Sequence, residues 1–146
     1  MTLQVFKKHD YSISSERSKI DIDMVHRLLS KSHWAANRKR ETVVKSIENS
    51  LCYGVYHNER QVGFARIITD YCTFAHLCDV IIEESCRGQG LAKWLLDCIM
   101  KNPDLLEVLR FTLSTKDAHG LYEKFGFTSL SDGERHRLMS ISKDES

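Results

Sequence analysis

Apolar residues recur at helical spacing from Asp21 onward, with Ile22, Val25 and Leu29 behind an acidic cap, and this predicts an amphipathic helix. The residues before it are polar and alternate weakly, which supports only an opening strand near Tyr11-Ser-Ile13. A second helix is predicted over Arg40 to Ser50, with Val43, Val44 and Ile47 turned inward. The period then changes. Leu51-Cys-Tyr-Gly-Val-Tyr56 alternates, His57-Asn-Glu-Arg60 interrupts, and Gln61 to Ile68 resumes, which reads as a β-hairpin with a four-residue turn. Ala75 to Ile82 is a strand with an almost wholly apolar end, so a central position covered on both faces is expected. Leu91, Leu95, Cys98 and Ile99, with Trp94 beside them, mark a third helix. Asn102-Pro103 ends it, because proline lacks a backbone donor and restricts the residue before it. A strand over Val108 to Leu113, a short helix over Ala118 to Phe125 and a closing strand over Arg137 to Ile141 complete the order. Strands and helices interleave without repeats or linkers, so the expected class is one mixed α/β domain over residues 1–146.

Composition narrows the function. The 146 residues carry 21 basic and 20 acidic side chains, a net charge of +1. That balance argues against a nucleic-acid partner held by bulk charge, which needs a basic surplus to neutralise phosphates. No run approaches the roughly 18 apolar residues of a membrane span, so no membrane partner is expected. The opening Met1 to Asp10 lacks the apolar centre of a secretory signal. The five cysteines are odd in number, without a CxxC pair, and several sit in apolar runs. Reduced, buried thiols and a cytoplasmic location are the expectation. Only Cys72-Thr-Phe-Ala-His76-Leu-Cys78 bears weighing as a metal site. Structural zinc draws four ligands in tight pairs and no second pair exists, so a strand with inward His76 and Cys78 is favoured and no metal is expected.

The chemistry concentrates in Val80-Ile-Ile-Glu-Glu-Ser-Cys-Arg87-Gly88-Gln89-Gly90-Leu91-Ala92-Lys93. A buried strand runs into a glycine turn that opens onto an amphipathic helix. The first amides of a helix are unpaired and carry the positive end of its dipole, so such a turn binds phosphate. Glycines let backbone approach the anion, and Arg87 and Lys93 add positive charge. The spacing is neither the dinucleotide fingerprint, which needs a third glycine in register, nor a P-loop, which ends in Gly-Lys-Ser/Thr. A turn that needs its glycines for geometry alone stays open at this point.

A second stretch, Leu113-Ser-Thr-Lys-Asp117-Ala118-His119-Gly120-Leu121-Tyr122-Glu123-Lys124-Phe125-Gly126-Phe127, reads as a strand end, a capped short helix and a glycine stop. Taken with Arg87-x-x-Gly90-x-Ala92, it closely resembles the GNAT superfamily of N-acetyltransferases. The first motif of that family reads Arg/Gln-x-x-Gly-x-Gly/Ala, and the second is a helix ending in Leu-Tyr-x-x-x-Gly-Phe. The resemblance runs from about residue 52 to about residue 130; the first fifty residues match only in helix count.

The resemblance implies a mixed α+β fold around a mostly antiparallel, splayed sheet of about six or seven strands flanked by about four helices. It implies acetyl-coenzyme A as cosubstrate. The turn Arg87, Gly88, Gln89, Gly90, Leu91 and Ala92, followed by Lys93, would offer its amides to the pyrophosphate. Val80, Ile81 and Ile82 would pair their backbone with the pantetheine arm, and Arg110 to Ser114 would splay away to leave a slot for the thioester. Tyr122 falls on the tyrosine that usually protonates the departing thiolate. Thr115 replaces an asparagine common in the family seven residues before that tyrosine, and its hydroxyl can still cap the helix.

Amine attack on a thioester needs a neutral amine, a polarised carbonyl and a proton for the leaving sulfur. A fixed phenol supplies the last. For the base, Asp79 is the carboxylate nearest the strand interior, beside an apolar run expected to raise its pKa by desolvation; its alternatives are an amine anchor or a structural hydrogen-bonding role. His33, Trp34, Arg38 and Arg40 are expected on the acceptor side, with Tyr71, Arg66 and His119 as further polar groups. The basic triplet also reads as a solvated helix start. A small-molecule primary amine, acetylated directly in a ternary complex, is the expected acceptor. A lysine or N-terminal protein acetyltransferase and a non-catalytic acyl-coenzyme A sensor are the rivals, and a homodimer paired through the closing strand stays open.

Overall fold

The computed structural model describes residues 2–143. Six strands form one sheet in chain order: β1 (Val5–Lys8), β2 (Tyr11–Ser14), β3 (Leu51–His57), β4 (Arg60–Thr69), β5 (Phe74–Ile82) and β6 (Arg110–Leu113). Neighbours pair antiparallel except β5 and β6, which run parallel. That one parallel step requires a crossover, and helix α3 (Leu91–Met100) supplies it. The other helices are α1 (Ile22–Ser30), α2 (Arg40–Glu48), α4 (His119–Glu123) and α5 (Asp132–Arg137).

The sheet divides the core in two. On one face, Leu91, Leu95, Leu96, Cys98 and Ile99 of α3 pack against Tyr53, Val55, Val62, Ala65, Ile67, Ala75 and Leu77. On the other, Met24, Val25, Leu28 and Leu29 of α1 and Val43 and Ile47 of α2 cover Cys52, Phe64 and Ile81. The strand expected to be central is therefore covered from both sides by different helices. Each helix starts where its cap allows: Asp21 accepts the Met24 amide at 3.1 Å, while α3 begins at Gly90 with a left-handed φ of 79°. Asn102 ends α3 by capping a 3₁₀ turn that has Pro103 at its first position, and its Nδ2 donates to the buried Tyr53 hydroxyl at 2.8 Å.

Three expectations need correction. The β3–β4 hairpin turns on Asn58 and Glu59 alone, with Asn58 at φ 56°, because His57 and Arg60 pair with each other. The N-terminal segment adds a strand, β1, that its polar composition hid. The closing strand over Arg137 to Ile141 is absent: Arg137 ends α5, and the described residues beyond it have no regular structure. A capping box between Ser131 and Glu134, acids in the first turn and Arg135, His136 and Arg137 in the last make a strong local helix signal. Leu138, Met139 and Ile141 follow it 70%, 91% and 88% exposed, and β6 ends the sheet with an open edge.

Candidate active site

The geometry of the site begins with a fork. Register between the parallel strands runs Phe74↔Arg110, Ala75↔Phe111, His76↔Thr112 and Leu77↔Leu113, and there β6 ends while β5 continues to Ile82. Beyond the fork, β5 keeps β4 on one side, and on the other its edge pairs with no strand among the described residues. The same segment carries an irregularity. Arg66 pairs with Cys78 and Phe64 with Ile81, so Asp79 and Val80 together stand opposite Ala65, and Asp79 adopts a left-handed φ of 53°. A β-bulge of this kind re-aims side chains beside a site.

At the far end of the open edge lies the glycine turn. Gly88 and Gly90 have φ of 81° and 79°, and a Cβ at either would meet no atom within 4 Å. Gly90 provides no side-chain cap, so the first amides of α3 have no side-chain acceptor. Arg87 turns back, its Nε donating to the Ile82 carbonyl at 2.9 Å, and Gln89 donates to the Cys86 carbonyl at 3.1 Å. Both side chains thus hold the turn closed and leave its amides outward. The open space above two left-handed glycines at a capless helix start fits a diphosphate. Lys93 is exposed on the first turn of α3, Ala92 is partly buried, and Leu91 anchors the helix in the core.

Across the fork, α4 carries Tyr122, half-buried beside Phe127 with ring centroids 6.1 Å apart. Burial pushes its phenol above the ordinary tyrosine value, so it keeps its proton at neutral pH. Thr115 accepts the Ala118 amide on its hydroxyl at 3.0 Å and fixes the start of this helix. Tyr122, Thr115, Leu113 and His76 line one groove of about 1100 Å³ that runs along β6 beneath α4 and α5.

Asp79 stands in surroundings other than those expected. Its Oδ1 accepts from Trp34 Nε1 at 2.9 Å, and its Oδ2 accepts from Arg38 and from Arg66 Nε, each at 2.9 Å. It is buried, but among guanidinium groups rather than apolar side chains. Trp34 and Arg38 belong to the α1–α2 loop, which the Asp79 carboxylate therefore ties to the bulge. Within that loop Ser32 accepts the Ala35 amide at 3.1 Å and Ala35 is buried.

Of the expected acceptor-side residues, the fold gathers Trp34, Arg38 and Arg66 at the bulge. His33 sits edge-on to Trp34, with ring centroids 5.1 Å apart. Arg40 is not brought there: it pairs with Asp23 at 2.8 Å on the outer surface of the helices. Tyr71 lies in the β4–β5 turn, at the end of the sheet opposite the glycine turn, with φ 66°. His119 is exposed on α4. Glu83 pairs with Arg60 at 2.7 Å and so belongs to the end of the sheet. Cys72 is exposed in a turn, apart from Cys78 on the strand, and among the described residues no three potential metal ligands gather. No helix among them is long and apolar enough to cross a membrane.

Sequence reasoning missed one group, His76, noted only as a weak metal ligand. Its Nδ1 lies 2.7 Å from Thr112 Oγ1 at the last-but-one register pair before the fork. The only signal was its place on an otherwise apolar strand.

The comparisons agree with this geometry. The family model described as Acetyltransferase (GNAT) domain matches residues 48–129, which contain β3 to α4 and both motifs. A crystal structure from Xanthomonas campestris pv. campestris, assigned to the GNAT family, is 42% identical and superposes with a TM-score of 0.86 over 91% of this chain and 93% of that one. A Gibberella zeae protein named as a candidate acetyltransferase is 26% identical over 166 aligned residues, 97% of this chain and 93% of its own. A Clostridium acetobutylicum protein solved with acetyl-CoA shares the fold, at 14% identity and a TM-score of 0.65 over 90% of this chain and 94% of that one. Family model, sequence relatives and fork geometry converge: this chain belongs to the GNAT acetyltransferase family.

Proposed function

We propose that this protein moves the acetyl group of acetyl-CoA onto a primary amine of a small molecule, directly and without an acyl-enzyme. The observation that carries the reading is the fork of β5 and β6, with the glycine turn at one end of its open edge and Tyr122 across from it. The residues fit the cosubstrate. Amides of the turn from Arg87 to Ala92 would hold the pyrophosphate, aided by the charge of Lys93. The backbone of Val80, Ile81 and Ile82 would pair with the pantetheine arm as an added strand does.

Bound there, acetyl-CoA supplies an acyl group activated as a thioester. Backbone amides at the bulge polarise its carbonyl. The Tyr122 phenol, held protonated by burial, donates to the departing sulfur. Asp79 has a positioning role: three donors hold its two oxygens, and through them it fixes the α1–α2 loop over the acceptor side. Near-neutral net charge offers little attraction for a highly basic protein tail, which favours a small amine. Five free cysteines accord with a reducing, cytoplasmic setting.

Thermal melting tests the reading. At 100 times its dissociation constant a native-state ligand adds about 2.7 kcal/mol, which raises the midpoint of a protein this size by roughly 5–11 °C. Acetyl-CoA and coenzyme A are expected to give that shift, and NAD and ATP none. Absence of a shift at saturating acetyl-CoA would end the acetyltransferase reading. Thiol release with small primary amines, against basic peptides, then separates the two acceptor classes.

A further inference from the structure

We propose that His76 is the general base that takes the proton from the acceptor amine; the inference rests on the acetyl-transfer reading. His76 stands on β5 three residues before the bulge at Asp79, where β5 and β6 are about to part. Its ring is fixed from the neighbouring strand by the contact of Nδ1 with Thr112 Oγ1 at 2.7 Å. In the tautomer in which Nδ1 donates to that hydroxyl, the Nε2 lone pair is free, and Nε2 has no partner among the described residues. An imidazole whose one nitrogen is tethered and whose other is open is built to accept a proton in a set direction. It lines the same groove as Tyr122, so base and acid address one space.

Electrostatics support the assignment. Burial, and next the Arg66 guanidinium, hold His76 below the ordinary histidine value, which Asp79 partly offsets. The ring is therefore neutral at physiological pH. The charged and titratable groups around it are Arg66 from β4, Asp79 from β5 itself, Arg110 of β6, His119, Tyr122 and Glu123 of α4, and Glu134, Arg135 and Arg137 of α5, with Glu134 paired to Arg110 at 3.3 Å. Asp79, with both oxygens engaged, leaves this role to His76.

The proton count closes. Nε2 takes one proton from the acceptor ammonium, and the freed nitrogen pair forms the N–C bond to the acetyl carbon. As the C–S bond breaks, sulfur takes the Tyr122 proton, and the second proton on the acylated nitrogen restores the phenol. The imidazolium then releases its proton to water, so one proton leaves per turnover.

The test compares wild type with His76→Gln, which retains a group able to bond Thr112. In the protein alone, NMR of imidazole-labelled protein is expected to show the His76 signal, assigned by its loss in the variant, titrating below the ordinary histidine value. With acetyl-CoA and a panel of small primary amines, His76→Gln is expected to keep wild-type acetyl-CoA binding by calorimetry. It should lose at least about 100-fold in turnover, the lower end of what general base catalysis contributes. The acid limb of the wild-type rate profile should match the NMR titration and vanish in the variant. Turnover within threefold of wild type, a surviving acid limb, or a His76 signal titrating at or above the ordinary value would each overturn the proposal. Wild type that fails to bind acetyl-CoA would instead sink the reading beneath it.

Discussion

Arg66 and Asp79 face each other across the β4–β5 pair, with Arg66 Nε donating to Asp79 Oδ2 over 2.9 Å, and Arg38 reaches the same oxygen from the α1–α2 loop. The pair is buried, the two side chains 11% and 2% exposed. Removing one partner of such a pair leaves uncompensated charge in the interior, at a cost of about 3–5 kcal/mol. Asp79→Ala should destabilise the protein by about that amount in urea titration. Asp79→Asn keeps a residue that tolerates the left-handed φ of 53° and so isolates the charge. Asp79→Ala should also release Trp34, seen as a change in tryptophan fluorescence, whereas Asp79→Asn keeps an oxygen that can accept its indole N–H. Unchanged stability in both variants would remove Asp79 as the anchor of the loop.

Tyr122→Phe removes the proton donor and little else, because its hydroxyl makes no hydrogen bond among the described residues, while the ring keeps its packing on Phe127. Turnover should fall at least about tenfold, a modest part of what a general acid contributes, while acetyl-CoA affinity and melting temperature stay near wild type. Burial raises the phenol above its ordinary value, so the alkaline limb of the wild-type profile should lie above that value and disappear in the variant. Steady-state kinetics with pH titration checks both.

Gly90→Val separates backbone strain from ligand contact. In the protein alone the added Cβ meets nothing within 4 Å, so the cost is set by the left-handed φ of 79°, about 1–2 kcal/mol. With acetyl-CoA bound as proposed, the same side chain would occupy the phosphate space, and affinity by calorimetry should drop at least about tenfold. Full affinity in a folded Gly90→Val protein would move the diphosphate elsewhere.

His76 also links stability to pH. Its folded pKa is depressed below the ordinary histidine value of 6.5, so the unfolded chain binds its proton first as pH falls. The contribution is complete above 6.5 and lost as pH drops through the folded value. Denaturant titrations at a series of pH values should show this slope in wild type and a shallower one in His76→Gln. Identical slopes would mean that the folded ring is not shielded from its proton.

Local signals carried much of the molecule. Period-2 and helical patterning placed β3, β4, β5 and α1 to α3 within a few residues, since each helix buries one face and these strands run through the core between helices on both sides. The Gly88-Gln89-Gly90 turn was legible because a left-handed backbone at a helix start needs glycine, and Tyr122 because Leu121-Tyr122-x-x-x-Gly126-Phe127 resembles the family's second motif. Where patterning was weak, local competition decided: the Ser131–Glu134 capping box prevailed over the faint alternation from Arg137 to Ile141.

What the chain alone could not express is which side chains meet. Asp79 looked like a carboxylate in apolar company, because its neighbours in sequence are Cys78 and Val80. Its partners Trp34, Arg38 and Arg66 arrive from 45, 41 and 13 positions away. Arg40 and Arg38 are two residues apart in one basic run, yet one pairs with Asp23 at the surface and the other enters the bulge. His76 gains its place only when β6 runs parallel beside β5 and brings Thr112 to its ring. Sequence patterning determined most of the elements and the glycine turn, because those depend on backbone preferences and near neighbours, and two local motifs carried the resemblance to the family. Tertiary structure decided the electrostatics of the site, because charge and proton affinity depend on groups that only the folded sheet places together.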